Sequence, residues 1–319
     1  MPHDHDSRGL GRKHETMTHL QEAPDAVAGQ AEAALRADAA VCAAGVTVRE
    51  LAGQDELEAV SRLYDTIWRP DPTNPLMTTE MLRALSKSGN YVVGAYDGQE
   101  LVGASVAFFG APPDGLLYSH IAGVSDRMRG RNVGFALKLH QRAWALLHGA
   151  STIQWTFDPL IRRNAHFNLA KLAASPAEYL PDFYGGMNDA INGGDESDRL
   201  LIRWHLQEPK VITASAGHGA LFDVAAARAA GALVALDISE DGRPVPGRQD
   251  AGTLLVAVPR DIEALRVSDR RTAKDWRLAV REVLGGLLDG GARVTGFDRA
   301  GWYLLTRDHD QHKHQEVDR

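Results

Sequence analysis

Apolar positions recur along this chain with two periods, and the switches between them mark out its elements. Val46 to Leu51 alternates over a short stretch and predicts a strand. Leu57, Val60, Leu63, Tyr64 and Ile67 fall on one face at helical spacing, so Asp55 to Ile67 predicts a helix. Trp68-Arg69-Pro70-Asp71-Pro72 ends it, because proline has no N–H to give and clashes with the preceding turn. A second helix is expected over Thr79 to Lys87, capped by Thr78 or Thr79. Tyr91 to Tyr96 and Leu101 to Phe109 predict strands joined at Asp97-Gly98, a hairpin signal. Leu116 to Val124 predicts another strand. It runs into a basic turn, Arg127 to Gly134, which opens a helix with Phe135, Leu139, Ala143 and Leu146 along one stripe.

The later pattern is less regular. Ser151 to Phe157 predicts a strand, Arg163 to Leu172 a helix with Asn164 and Asn168 one turn apart, and Leu200 to Leu206 a strand. Residues 209–252 are rich in Ala, Gly and Pro and read as an insertion or connection with one strand, Ala232 to Ile238. Thr253 to Val258 predicts a strand and Pro259 to Leu265 the start of a helix. Arg271 to Leu288 predicts a longer helix, and Arg293 to Phe297 with Trp302 to Thr306 a hairpin-like pair. The pattern divides the chain into a tail over 1–45, a first domain over 46–208, a C-terminal α/β subdomain over 209–307 and a tail over 308–319. Both tails are expected to be mobile. The first leaves room for a short helix in Ala26 to Ala44 and an alternative start at Met17. His3, His5 and His14 in one tail and His309, His312 and His314 in the other lack an ordered scaffold, so no metal site is expected.

Composition narrows the function classes. The 319 residues are 44% hydrophobic and 24% charged, an ordinary globular balance, with a net charge of −7 that argues against a nucleic-acid binder. The lone Cys42 excludes an internal disulfide framework and fits a reducing compartment. No apolar run reaches membrane-spanning length, and the N-terminus lacks the apolar segment of a secretory signal. A cytoplasmic enzyme is the expectation, and a homodimer is allowed.

The basic turn carries the chemistry. It joins a strand to a helix N-terminus, where backbone N–H groups are unpaired and the dipole is positive. Gly130 and Gly134 let a ligand approach the backbone, and Arg127, Arg129 and Arg131 add charge, so the turn suits a phosphate group. It is not a Walker loop, since no Gly-Lys-Ser/Thr follows, and it lacks the glycines of a dinucleotide fingerprint. Arg129-Gly130-Arg131-Asn132-Val133-Gly134 resembles the Arg/Gln-x-x-Gly-x-Gly/Ala pyrophosphate loop of the GNAT acyltransferases, and Val124 matches the strand residue leading into it. Asn132 stands where that family usually has glycine; asparagine tolerates a left-handed backbone better than most residues. Ser119-His120, Gln154 to Leu160, Arg163-Asn164-Ala165, Val258 to Ile262 and Trp276-Arg277 extend the resemblance to a large bacterial branch of the superfamily, over roughly Val46 to Thr306.

The resemblance implies an α+β fold: a mixed, mostly antiparallel twisted sheet flanked by helices, here with a C-terminal partial second α/β unit. It implies acetyl-CoA or another acyl-CoA as cosubstrate, held by Val124, Arg129, Gly130, Arg131, Asn132, Val133 and Gly134, with Asn164 on the pantetheine arm. The implied reaction is direct acyl transfer, acetyl or succinyl, to a small amine or amino acid. The rival is a catalytically silent acyl-CoA-binding or regulatory protein.

Two residues are candidates for the proton chemistry. His120 lies four residues before Val124, on the same sheet face if no bulge intervenes, and its pKa of ~6.5 suits a base. It is equally readable as a core histidine. Asp158 stands at a strand end, where it binds the acceptor's amine, acts as base, or merely caps the turn at Pro159. Asn164 is readable as a simple helix cap. The family's usual general acid is a tyrosine in the following helix; Leu169 occupies that place.

Overall fold

The computed structural model describes residues 12–71, 75–111, 115–186 and 195–307, and side chains from residue 27 onward within them. The expectations for residues 1–11 and 308–319, with their histidines, lie outside the described residues. So does the side chain of His14.

A seven-stranded sheet has the order β1-β2-β3-β4-β5-β7-β6. Its strands are β1 (Thr47–Glu50), β2 (Tyr91–Asp97), β3 (Glu100–Phe109), β4 (Leu116–Val124), β5 (Thr152–Phe157), β6 (Ser175–Leu180) and β7 (Arg199–His205). All neighbours are antiparallel except β4 and β5, which run parallel. The β2–β3 hairpin turns at Gly98, whose φ of +63° is the left-handed conformation that a tight turn needs. The fold is therefore mixed and mostly antiparallel, in the expected element order except that β6 is a strand the sequence pattern did not predict.

Two helices cover one face. α2 (Gln54–Trp68) buries Leu57, Val60 and Tyr64, and Glu56 accepts from the Gly53 N–H at 2.9 Å to tie down its start. α3 (Thr79–Lys87) is capped by Thr78, whose hydroxyl accepts from the Met81 N–H at 3.2 Å. These helices close an apolar cluster with Val92, Ala104 and Val106.

α4 (Val133–Leu147) covers the opposite face, and here the expected mobile tail is corrected. Residues Arg12–Ala44 form a long helix, α1, with Ala33, Ala37 and Ala44 buried in the main core. Gln30 donates to the Leu146 carbonyl at 3.0 Å, and Glu32 accepts from the buried guanidinium of Arg142 at 2.7 Å. Alanines four residues apart let α1 lie close on α4, and the ion pair satisfies a cation that α4 would otherwise bury alone.

The second sheet has the order β11-β12-β10-β8-β9. It comprises β8 (Leu233–Ile238), β9 (Pro244–Pro246), β10 (Thr253–Ala257), β11 (Arg293–Asp298) and β12 (Trp302–Thr306). The short helices α6 (Pro209–Ser215) and α7 (Val224–Ala229) precede it, so the region read as a weakly patterned insertion is structured. α8 (Ile262–Ser268) and α9 (Arg270–Val280) follow β10; the predicted long helix continues as a π-helical turn, Arg281–Gly285, into α10 (Gly286–Asp289). One apolar core runs through both sheets. Tyr303 spans the junction, donating from its buried hydroxyl to the Pro159 carbonyl at 2.8 Å.

Candidate functional site

β4 and β5 pair only from Leu116 to Tyr118 against Thr152 to Gln154. Past Tyr118 the two strands part, so β4 from Ser119 onward shows its backbone edge to a cleft of about 810 Å³. Ile67 and Trp68 from the end of α2, His120 to Val124 from β4, and Thr156 to Asp158 from β5 line it. A parallel pair that separates leaves N–H and C=O groups without strand partners, and these suit an amide-bearing chain laid alongside.

A bulge shapes the β4 wall. Ser119 pairs with Ala107 and Ile121 with Val106, so His120 is the extra residue. The side chains of His120 and Ile121 consequently both project toward α2, and Val124 toward α4. This corrects the expectation that His120 and Val124 share a face: a one-residue insertion inverts the alternation beyond it. The bulge turns His120 into the cleft, 6.1 Å from the Phe108 ring, and burial lowers its imidazole pKa.

The loop at the cleft's end has the expected backbone. Asn132 adopts φ +60°, ψ +20° at the N-cap of α4, the left-handed geometry for which the family uses glycine. Its side chain accepts from Lys171 at 2.6 Å, which fixes it across to the neighbouring helical segment. Gly130, at φ +85°, has open space where a Cβ would stand, and Gly134 has only Val124 within reach, at 3.9 Å. The Val133 and Gly134 amides sit in the first turn of α4, where no intrahelical acceptor serves them.

The loop's arginine side chains are less committed to a ligand than the sequence suggests. Arg131 donates to Asp97 at 3.0 Å and to the Ala44 and Gly45 carbonyls, so it clamps the end of α1. Arg127 pairs with Glu100 at 3.0 Å. Arg129 pairs with Asp126 at 2.7 Å but is largely solvent-exposed, where such a pair is weak and easily exchanged. The backbone, more than charge, suits this turn to an anion.

Asp158 is corrected most. It is 3% exposed, and Arg277 grips both its oxygens at 2.8 Å while Arg266 donates to one of them at 2.6 Å. Burial would raise its pKa, but the two guanidinium groups overcome this and hold the carboxyl well below the usual range. It also accepts from the Leu160 N–H at 2.9 Å, the turn-capping role. An anion so paired has no basicity to offer and no free lone pair aimed at an acceptor.

Asn164 lines the cleft from α5 (Arg162–Ala165), while Asn168 turns inward and accepts from the Trp155 indole at 3.3 Å. The predicted helix is α5 followed by a π-helical turn, His166–Lys171. Leu169 is buried in the core and does not line the cleft.

Tyr184 is the residue that the sequence did not reveal. It follows β6 in a turn held by Ser197, whose hydroxyl accepts from the Tyr184 N–H at 2.7 Å. Its hydroxyl lies 3.1 Å from that of Thr156 and 3.3 Å from that of Tyr118, and Arg199 lies 5.4 Å from its ring centre. Burial and the neighbouring Tyr184 hydroxyl both push the Tyr118 hydroxyl to a higher pKa. Nothing in the sequence between Leu172 and Leu200 signals that this phenol lies beside Thr156 of β5.

Among the described residues no helix is long and apolar enough to cross a membrane, and no group of three or more His, Cys, Asp or Glu could hold a metal.

No protein-family model matches the sequence, and neither does any curated protein. Solved structures do resemble the fold. A GNAT-family acetyltransferase from Streptococcus pneumoniae is 12% identical, with 50% of this chain and 97% of that chain covered, at a TM-score of 0.41. An acetyltransferase from Salmonella typhimurium, solved with its cofactor acetyl-CoA, is 14% identical over 51% of this chain and 95% of its own, at 0.41. An N-acetyltransferase from Staphylococcus aureus is 12% identical over 51% and 99%, at 0.42. In each case about half of this chain is similar in fold to nearly the whole of a GNAT-type or acetyltransferase domain.

Proposed function

We propose that this protein is an acyl-CoA-dependent N-acyltransferase of the GNAT type, acting on a small amine or amino acid. The observation that carries the reading is the parting of β4 from β5 beside an anion-cradling turn at the start of α4. A diphosphate on the Val133 and Gly134 amides would direct the attached pantetheine along the β4 edge, past Asn164. Acyl-CoA supplies the thioester; the chain supplies position and proton handling.

His120 takes a proton from the acceptor's ammonium group, and burial keeps its imidazole neutral near pH 7. The freed amine attacks the thioester carbonyl, the C–S bond breaks, the new amide nitrogen releases its surplus proton to solvent, and the leaving thiolate takes one up. Tyr184 is the donor in this reading and regains its proton from solvent; its hydroxyl, beside those of Thr156 and Tyr118 at the cleft, supports the assignment. Ile67, Trp68 and Ile121 form an apolar wall for the acceptor's body, and Arg199 adds a cation suited to a carboxylate. The acyl group is acetyl or succinyl.

Thioester cleavage by the purified protein, followed with acetyl-CoA and succinyl-CoA against a panel of amines and free amino acids, tests the proposal. Acceptor-dependent release of CoA is expected. Tight CoA binding with no turnover on any acceptor favours the silent acyl-CoA-binding reading, which the buried Leu169 supports.

A further inference from the structure

A second cavity, about 570 Å³, opens where the two sheets meet. Arg162, Arg163 and His166 line it from the α5 segment, Arg260, Asp261 and Glu263 from the corner between β10 and α8, and Arg299 from the β11–β12 turn. It shares Ile161 and Arg163 with the cleft above.

Its charges do not balance. Asp261 is occupied as the cap of α8, accepting from the Ala264 N–H at 3.0 Å, and Glu263 is taken by both guanidinium nitrogens of Arg163. That leaves Arg162, Arg260 and Arg299. Arg162 donates to the Arg299 carbonyl, and Arg299 donates to the His166 ring at 3.1 Å, so both are aimed by neutral acceptors. Among the described residues Arg260 has no ion-pair partner. Gly301, at φ +95°, brings the β11–β12 turn against Arg162; a Cβ there would meet its Nε at 3.0 Å. Burial and then Arg260 lower the Arg162 pKa, while burial, Arg299 and Lys171 lower that of His166. Four arginines against Asp261, Glu263 and the nearby Asp298 leave a surplus of positive charge, and cations so gathered destabilise one another until an anion enters.

We infer that this cavity is a second anion site, built for a phosphate monoester and separate from the turn at α4. Three planar guanidinium groups from two sheets can direct paired N–H donors at phosphate oxygens. The phosphate comes either from the 3′-position of CoA, reaching over Arg163, or from a separate phosphorylated ligand.

Calorimetric titration of the full chain and of an Arg260→Gln/Arg299→Gln variant distinguishes the sources, with CoA, dephospho-CoA and inorganic phosphate as probes. If the 3′-phosphate fills the site, the wild type binds CoA about tenfold more tightly than dephospho-CoA and the variant loses that preference. If a separate ligand fills it, CoA and dephospho-CoA bind alike, and inorganic phosphate binds the wild type about tenfold or more tightly than the variant. A CoA preference and a phosphate affinity that both survive the substitutions, or are both missing in the wild type, overturn the inference. Should the double variant melt early, Arg260→Gln alone gives the same readouts. A protein that binds no CoA at all defeats the acyltransferase reading and leaves the phosphate titration as the test of this site.

Discussion

Arg277 and Asp158, 119 residues apart, meet in two hydrogen bonds of 2.8 Å each, which ties a buried residue of the second unit to one that lines the first unit's cleft. Asp195 joins from the side, accepting from Arg277 at 3.1 Å and from Arg266 at 3.3 Å. Removing Asp158 leaves two buried guanidinium groups with Asp195 as their one remaining carboxylate, so Asp158→Ala is expected to cost about 3 kcal/mol in chemical denaturation. Because the folded-state pKa of Asp158 is depressed, its contribution is complete above the ordinary carboxylate range. It is lost as pH falls from about 4 through the lower folded value. The wild type should therefore lose more stability than Asp158→Asn on acidification below that point. A parallel decline would mean that Asp158 does not titrate against the arginines.

His120→Ala should reduce kcat/KM by ~10²-fold and remove the ascending limb of its pH profile. Burial places that limb below the ordinary imidazole value of ~6.5, with activity rising toward neutral pH. CoA affinity should hold, since the imidazole faces the acceptor side. Undiminished turnover would return His120 to a structural role.

Tyr184→Phe deletes one hydroxyl and keeps the ring against Arg199. Thiolate protonation should suffer, lowering kcat by ~10²-fold with little change in CoA affinity. Wild-type kcat would show that water protonates the thiolate.

Gly134→Val should fold, because only Val124 stands near the new Cβ, at 3.9 Å. Its methyl groups would nevertheless crowd the approach to the first-turn amides, so calorimetry should show CoA affinity lower by tenfold or more, roughly the worth of one or two charge-assisted hydrogen bonds. A folded variant with unchanged affinity would remove the turn from the cosubstrate site.

Truncation at Val46 should destabilise the protein, contrary to what a mobile tail implies. It strips α1 from α4 and leaves Arg142, 1% exposed at its side chain, without Glu32. Glu32→Ala isolates the electrostatic share, expected at about 3 kcal/mol or somewhat less, since Arg142 keeps its bond to the Leu206 carbonyl. Unchanged melting of both proteins would contradict the packing described here.

The sequence made local chemistry legible and left distant partners hidden. The Arg129–Gly134 turn could be read because strand, loop and helix are contiguous, and the left-handed Asn132 follows from its residue type. The bulge at His120 could not, since one inserted residue leaves the apolar alternation of Leu116 to Val124 looking intact. Asp158 looked reactive because its arginines lie more than a hundred residues away. α1 looked polar because its buried stripe is alanine, which packs closely but signals weakly.

The Arg277–Asp158 pair also bears on how the chain is made. Synthesis proceeds from the N-terminus at ~5–20 residues per second, so Asp158 leaves the ribosome roughly 6 to 24 seconds before Arg277 does. Through most of that interval Asp158 lacks both guanidinium groups that bond it, and only Arg199 of the first unit offsets its charge. The floor of the cleft therefore takes its final charge-paired form only after the helices that carry Arg266 and Arg277 have been made.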